Sequence, residues 1–360
     1  MKKIFIILLG MITLIIPQLS CAAQTNNYAG VTKTGFYMDT VCKITVYSMD
    51  GAGDMSAEEQ EKEALLLITD AFKLCDTYEK RLSKTVEGSD VYRINHAAGR
   101  PTTVDPTTVE VIQKGVEYGE LSGGDFDITI GQVTDLWDFH QQDEDGDKTG
   151  SLPDEEAVKE AVGHTDYRQI VIDGNTVSLK DPRAEIDLGG IAKGYIADRV
   201  ADFLVEKGVT GAVISLGGNI VTIGKKSASM ENTGEGTDFS VGIADPMSES
   251  GDLIGVLFCA DTTVVTSGTY ERFFEYDGVR YHHILDPETG WPFDTDVLSV
   301  TVISDRGRSV DCDGLSTTCL ALGVDRGLEL IKDMDGVEAI FVDSEGGIIL
   351  SDESIPFEKY

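Results

Sequence analysis

Glu185-Ile186-Asp187-Leu188-Gly189-Gly190-Ile191-Ala192-Lys193-Gly194-Tyr195 is the stretch on which the fold turns. An acid at the end of a strand-like lead-in is followed by two glycines. Apolar residues at helical spacing then run over 191–207, until Gly208 stops them. The glycines let the backbone approach a neighbour or a ligand closely, the helix start offers unpaired N–H groups, and Lys193 adds a positive charge in the first turn. That chemistry suits a phosphate. It suits equally a tight strand-to-helix turn carrying a surface lysine, and these residues alone leave both readings open.

Outward from this joint, helices and strands mix without the strict alternation of a parallel α/β sheet. Residues 34–48 alternate and are rich in β-branched and aromatic side chains, which predicts a strand. Residues 57–83 predict a long amphipathic helix, with Leu65, Ile68, Phe72, Cys75, Tyr78 and Leu82 at helical spacing. A second helix is expected over 107–122. Residues 169–179 read as strand, Asp173-Gly174-Asn175 turn, strand. Beyond the joint, strands are expected at 212–215, 240–243, 256–259 and 297–303, with a strand pair over 273–284 folded at Asp277-Gly278. A helix over 314–333 and a hairpin over 339–351 follow. The pattern predicts an α+β fold with mixed or antiparallel sheets and packed helices. Two polar segments, 138–154 and 225–238, read as surface insertions.

The chain has 360 residues, with 29 Lys and Arg against 63 Asp and Glu, a formal net charge of −34. Such a chain repels polyphosphate backbones, which excludes nucleic-acid binding driven by counterion release, and it lacks a polybasic hold on anionic lipid. An anionic substrate would need a bridging cation. Lys2 and Lys3 followed by an apolar run over 4–16 form a secretory signal, too short to span a bilayer comfortably. Ser20-Cys21 resembles a bacterial lipobox. We therefore expect a signal peptide over 1–20, lipidation at Cys21, a tether over 21–33, a main domain over 34–350 and a tail over 351–360. This places the protein on the extracytoplasmic face of a bacterial membrane, or in the medium if Cys21 is not lipidated. The six cysteines form no CxxC pair and read as small buried hydrophobes.

Three further clusters hold more Gly, Asp and His than packing requires. Thr266-Ser267-Gly268-Thr269-Tyr270-Glu271-Arg272 precedes His282-His283-Ile284-Leu285-Asp286-Pro287-Glu288-Thr289-Gly290, which sets paired histidines beside a rigid turn. In Asp311-Cys312-Asp313-Gly314-Leu315-Ser316-Thr317-Thr318, Asp313 and Thr317 share a helix face and offer oxygens to a hard cation, although an aspartate at a helix start is commonly only a cap. Gly123-Gly124-Asp125-Phe126-Asp127-Ile128-Thr129 reads as a glycine turn feeding a strand. Asp145-Gly146-Asp147-Lys148-Thr149-Gly150-Ser151-Leu152-Pro153-Asp154-Glu155-Glu156 matches a calcium-binding EF-hand loop at positions 1, 3, 6 and 12. No entering helix precedes it, and the plainer reading is an acidic loop running into a helix.

The order and spacing of these clusters, together with Met38-Asp39-Thr40 and Leu216-Gly217-Gly218-Asn219, resemble the ApbE family of FAD:protein FMN transferases over about residues 34–350. The resemblance implies an FAD site in a central cleft, with Met38, Asp125, Phe126, Asp127, Asp187, Lys193 and Ile284 contacting FAD. It implies Mg²⁺ held by the Gly190 carbonyl, Asp313 and Thr317, and His283 as general base. A Thr or Ser hydroxyl of an acceptor flavoprotein would attack the FMN-side phosphorus and AMP would leave, with the base titrating near working pH. Two departures stand out. Thr85 falls where a flavin-stacking tyrosine is frequent, and Asp39 replaces a glycine. Some members carry an aspartate where this chain has Ser316. The alternatives are an FAD pyrophosphatase using water at the same site, and a non-catalytic FAD-binding lipoprotein.

Overall fold

The computed structural model describes residues 30–139, 150–231, 236–248 and 250–360. The signal segment, Cys21, all but the last residues of the tether, and the Asp145–Thr149 part of the EF-hand-like loop lie outside the described residues. From the N-terminus come β1 (Val31–Tyr37), β2 (Thr40–Met49), α1 (Ala57–Leu82), α2 (Asp90–Asn95), β3 (Thr102–Thr103) and α3 (Pro106–Ser122). Next are α4 (Gly131–Thr134), α5 (Glu155–Val162), β4 (Ile170–Asp173), β5 (Thr176–Leu179), α6 (Ala192–Glu206), β6 (Val209–Leu216) and β7 (Asn219–Gly224). Then follow β8 (Phe239–Ala244), β9 (Leu253–Cys259), β10 (Thr262–Gly268), β11 (Phe273–Tyr276) and β12 (Val279–His282). The chain ends with β13 (Val297–Asp305), α7 (Ser309–Lys332), β14 (Val337–Asp343), β15 (Ile348–Leu350) and β16 (Phe357–Lys359).

Eight strands form one sheet in the order β1-β2-β6-β7-β10-β13-β14-β15, every neighbouring pair antiparallel. Successive side chains on a strand point to opposite faces. Val265, Val300, Val302, Ala339 and Phe341 therefore join the main core, shared with α1, α6 and α7. Val264, Ile303 and Ile340 point the other way and pack on Val241, Ile243, Leu257 and Cys259 of a second sheet, ordered β16-β9-β8. Both faces of the central strands are thus covered, and each large apolar side chain buried there contributes roughly 1.5–3 kcal/mol. The architecture is the expected α+β fold. The last ten residues, set apart in the sequence as a tail, include β16, which pairs with β9.

Several elements differ from expectation. The strand expected over 34–48 is a hairpin whose turn residues, Met38 and Asp39, have φ of 53° and 55°. β7 and β10 were not anticipated; Gly217-Gly218, with φ of 56° and 93°, forms the two-residue β6–β7 turn that requires positive φ at both positions. Residues 126–129 are not a strand, and Glu185 makes only an isolated bridge to Ile130. The helix expected over 314–333 begins earlier, at Ser309, and breaks at Gly323 (φ 80°, ψ 176°). Its own N-cap, Arg308, supplies no side-chain bond. Asp198 of α6 does so instead, accepting from the N–H groups of Ser309 and Val310 at 3.0 Å each. Asp154 caps α5 by accepting from Ala157 N, so the described end of the EF-hand-like segment is a helix start. Cys42, Cys75, Cys259, Cys312 and Cys319 are buried and free, as expected. Among the described residues no helix is long and apolar enough to cross a membrane.

Candidate functional site

The β1–β2 turn, the α1–α2 loop, the α3–α4 connection, the 187–193 joint, the end of β10, the stretch after β12 and one face of α7 open onto a single cleft of about 900 Å³. Met38, Asp125, Phe126, Asp127, Asp187, Gly190, Lys193, His283, Ile284, Asp313 and Thr317 all line it. Every candidate site residue among the described residues is therefore brought to one place.

The floor is built by the contact of α6 with α7. A β-carbon on Gly194 would lie 2.2 Å from the Ser309 carbonyl oxygen and 2.7 Å from Asp313 Cβ, so only glycine permits the helices to approach this closely. That closeness lets Gly194 N donate to Asp313 Oδ2 at 2.8 Å. Asp313 is 3% exposed and sits in the second turn of α7, not at its cap as the sequence suggested. Its other oxygen, Oδ1, lies 3.9 Å from Lys193 Nζ, which also donates to Gly189 O at 3.0 Å. Burial pushes the Asp313 carboxyl above the usual range, against the pull of Lys193 and the Gly194 N–H. Thr317, one turn on, has its hydroxyl 3.3 Å from Ser267 Oγ. Ser316 is buried, donating to the Asp313 carbonyl at 3.0 Å and bonded to Ser267 Oγ at 2.7 Å.

Gly190, Asp313 and Thr317 line the same cleft and offer it oxygen only, a carbonyl, a carboxylate and a hydroxyl, which is the donor chemistry a hard divalent cation takes. Among the described residues no group of three or more His, Cys, Asp or Glu side chains is placed to hold a metal.

The two histidines part company at the end of β12: His282 is its last residue, and His283 lies in the bend just beyond it. His282 is 7% exposed, with Nε2 3.2 Å from the Phe293 carbonyl and Nδ1 accepting from Ile284 N at 3.3 Å. Both its nitrogens are occupied in the core. His283 faces the cleft, and its Nδ1 is 3.2 Å from the Arg272 carbonyl. A carbonyl only accepts, so Nδ1 carries the hydrogen and Nε2 is the basic nitrogen. Burial among Arg272, His282 and Lys193 pushes its pKa down to about 3, which corrects the expectation of a base titrating near neutrality. Glu271, also in the cleft, is pushed up to about 7 by burial, against Lys193 and Arg272.

Opposite stands the wall formed by Asp125-Phe126-Asp127 and Asp187. Phe126 is buried edge-on against Tyr118, with ring centroids 5.9 Å apart, and its ring lies just under Gly190. Asp125 is 3.6 Å from Arg326. Asp127 lines the cleft, but its carboxylate is committed to structure: Oδ1 accepts from Thr129 N and Oγ1 at 2.7 and 2.6 Å, Oδ2 from Tyr167 N at 2.8 Å. Asp187 accepts from Gly189 N at 2.8 Å and Thr134 Oγ1 at 2.9 Å, and pairs with Lys84 at 3.2 Å. Burial alone would raise the Asp187 carboxyl; Lys84 and these two donors outweigh it and hold it below the usual range. Thr85 is at the cleft wall with no ring to offer, while Met38, fixed by its N–H donating to Glu79 Oε1 at 3.0 Å, projects from the hairpin turn. Sequence reasoning missed Lys84, and it quoted Glu271 and Arg272 within the 266–272 cluster without a role for either; only the folded chain brings them to the cleft.

The ApbE family model matches residues 38–341. The chain is 39% identical over 290 residues to a FAD:protein FMN transferase of Klebsiella pneumoniae, covering 79% of this chain and 84% of that one. It is 35% identical over 312 residues to a FAD:protein FMN transferase of Treponema pallidum, covering 84% and 82% respectively. The crystal structure of the ApbE protein from Thermotoga maritima superposes with a TM-score of 0.74 at 30% identity, covering 89% of this chain and 96% of that chain. The flavin transferase ApbE from Vibrio cholerae gives 0.71 at 25% identity, covering 89% and 96%. Sequence motifs, topology and cleft agree: the chain belongs to the ApbE family.

Proposed function

We propose that this protein is a Mg²⁺-dependent FAD:protein FMN transferase that joins FMN through a phosphoester bond to a Thr or Ser of an acceptor flavoprotein and releases AMP. We propose further that it works outside the cytoplasm, anchored through lipid on Cys21. One observation carries the catalytic reading. A single cleft is lined, together, by Gly190, Asp313 and Thr317, whose oxygens suit a hard cation, by the glycine-rich joint with Lys193, and by His283, whose Nδ1 is held by the Arg272 carbonyl.

In this reading the nucleotide lies along the wall of Phe126, Asp187 and Ile284, with its pyrophosphate over Gly190 and Lys193. The Gly190 carbonyl, Asp313 and Thr317 would hold magnesium, which would supply charge neutralisation at the phosphates. The helix start and Lys193 orient the pyrophosphate, and the backbone carbonyl of Arg272 fixes the His283 ring. The acceptor hydroxyl attacks the FMN-side phosphorus; its oxygen forms the new P–O bond, and the bond to the AMP oxygen breaks. His283 Nε2 takes the hydroxyl proton. An imidazole with pKa about 3 is a weak base in the free protein, but the negative pyrophosphate beside it favours the charged form and draws the pKa back up.

The test is incubation with FAD and Mg²⁺, with and without a flavin-acceptor domain. The proposal expects AMP release that depends on the acceptor. AMP and FMN released equally without acceptor identifies the pyrophosphatase, and FAD bound without turnover identifies a storage protein.

A further inference from the structure

Lys84 is heavily bonded within the cleft, and no sequence motif accounts for it. It stands just past α1, its side chain 14% exposed, and its ammonium is ringed by oxygens. It donates to Gly131 O at 2.9 Å, Thr134 Oγ1 at 2.6 Å and Asp135 Oδ1 at 2.7 Å, and lies 3.2 Å from Asp187 Oδ2. Thr134 Oγ1 in turn donates to that same Asp187 oxygen at 2.9 Å. A lysine with all its hydrogens committed to protein oxygens has none left for a ligand. What it can do is set the state of the carboxylate beside it. Among the described residues Lys84 is the cation paired with Asp187. The other charges at this corner are acids, Asp135 and Glu185, with His96 beyond Glu185.

We propose that Lys84 is a positioning residue for the nucleotide site: its ammonium, anchored by Gly131 O, Thr134 and Asp135, pairs with the Asp187 carboxylate and holds it at the cleft, where it accepts a hydrogen bond from bound FAD. This rests on the reading of the cleft as an FAD site. The sign of the pH effect follows from the neighbours. With Lys84 present, Asp187 is held below the usual carboxylate range, so its ionisation is complete well below neutrality and FAD affinity is flat with respect to it. Without the ammonium, burial dominates, the carboxyl rises, and affinity falls as pH falls through its new value. An ionised acceptor also makes the stronger hydrogen bond.

The experiment is FAD titration by flavin fluorescence, from pH 5.5 to 8.5, on wild type, K84M, K84R, D187N and K84M/D187N. Outer partners that orient a ligand-binding group are typically worth about 10–100-fold. We expect K84M to weaken FAD about tenfold at pH 8 and by more at pH 6, and K84R to restore both affinity and the flat profile. In the D187N background K84M should have little further effect. Equal FAD affinity and pH profile in K84M and wild type would overturn the inference while leaving the FAD site standing. So would a K84M loss undiminished in the D187N background, which marks a merely structural role through Gly131 and Asp135. Wild type that does not bind FAD overturns the site reading and this inference with it. If K84M does not fold, K84Q, with a polar tip among the same oxygens, takes its place.

Discussion

Replacing Asp313 separates its chemical role from its structural one. In D313N the side chain keeps its shape and an oxygen for the Gly194 N–H, but loses the charge whose burial disfavours ionisation. In D313A the acceptor disappears, leaving the Gly194 N–H buried without its partner at a helix–helix contact where a β-carbon could not fit. An orphaned buried donor costs about 1–3 kcal/mol. For a chain of this size 1 kcal/mol is worth about 2 °C in Tm, so D313A should melt roughly 2–6 °C below wild type. D313N should melt at or above the wild-type temperature, because a buried functional carboxylate is held at a cost to stability. Both should lose nearly all metal-dependent turnover, since each removes the carboxylate from the donor set. Thermal unfolding by circular dichroism and AMP release at limiting Mg²⁺ read the two effects. D313N retaining near-wild-type turnover at limiting Mg²⁺ would refute the metal role. D313N melting lower than D313A would refute the energetics.

Two further outcomes follow from the histidines. H283A should slow transfer about 10²–10⁴-fold, the usual range for general-base loss, with FAD affinity little changed; H282A should leave transfer largely intact but lower Tm, because it orphans the Phe293 carbonyl and Ile284 N–H. Equal rate losses in the two variants would count against the assignment. Burial also lowers His282 to about 4 in the folded chain. The unfolded chain therefore binds the extra proton first, and stability should fall as pH drops from about 6.5 toward 4. The share of His282 at pH 5 is about 2 kcal/mol by linkage. Denaturant unfolding of wild type and H282Q at pH 7 and 5 checks this, and an equal pH slope in both would show that His282 is not its source.

The joint at 185–195 was legible because its signals are local: paired glycines, then helical periodicity. Long α1 was legible for the same reason, with Ser56 and Glu59 forming a reciprocal cap at its start. The β1–β2 hairpin was not, since Met38-Asp39 lacks the glycine that usually marks a two-residue turn. The true start of α7 was hidden because its cap comes from Asp198, far away in sequence. The candidate site was found through short motifs, yet their partners were not. Asp127 belongs to the right cleft, but its oxygens serve Thr129 and Tyr167. Lys84 matters through oxygens, and Arg272 through the His283 ring its carbonyl holds, that only the tertiary fold places beside them. Likewise, the low basicity of His283 arises from burial and neighbouring cations that no spacing encodes.

The most direct test of the account is to quantify AMP and flavin-labelled acceptor in one reaction containing the protein, FAD, Mg²⁺ and an acceptor domain. The account predicts one AMP for each FMN attached, attachment at a Thr or Ser whose replacement by Ala abolishes it, and loss of both products in H283A and in excess chelator. AMP formed with no label on the acceptor, or label that persists undiminished in H283A and without divalent metal, would contradict it.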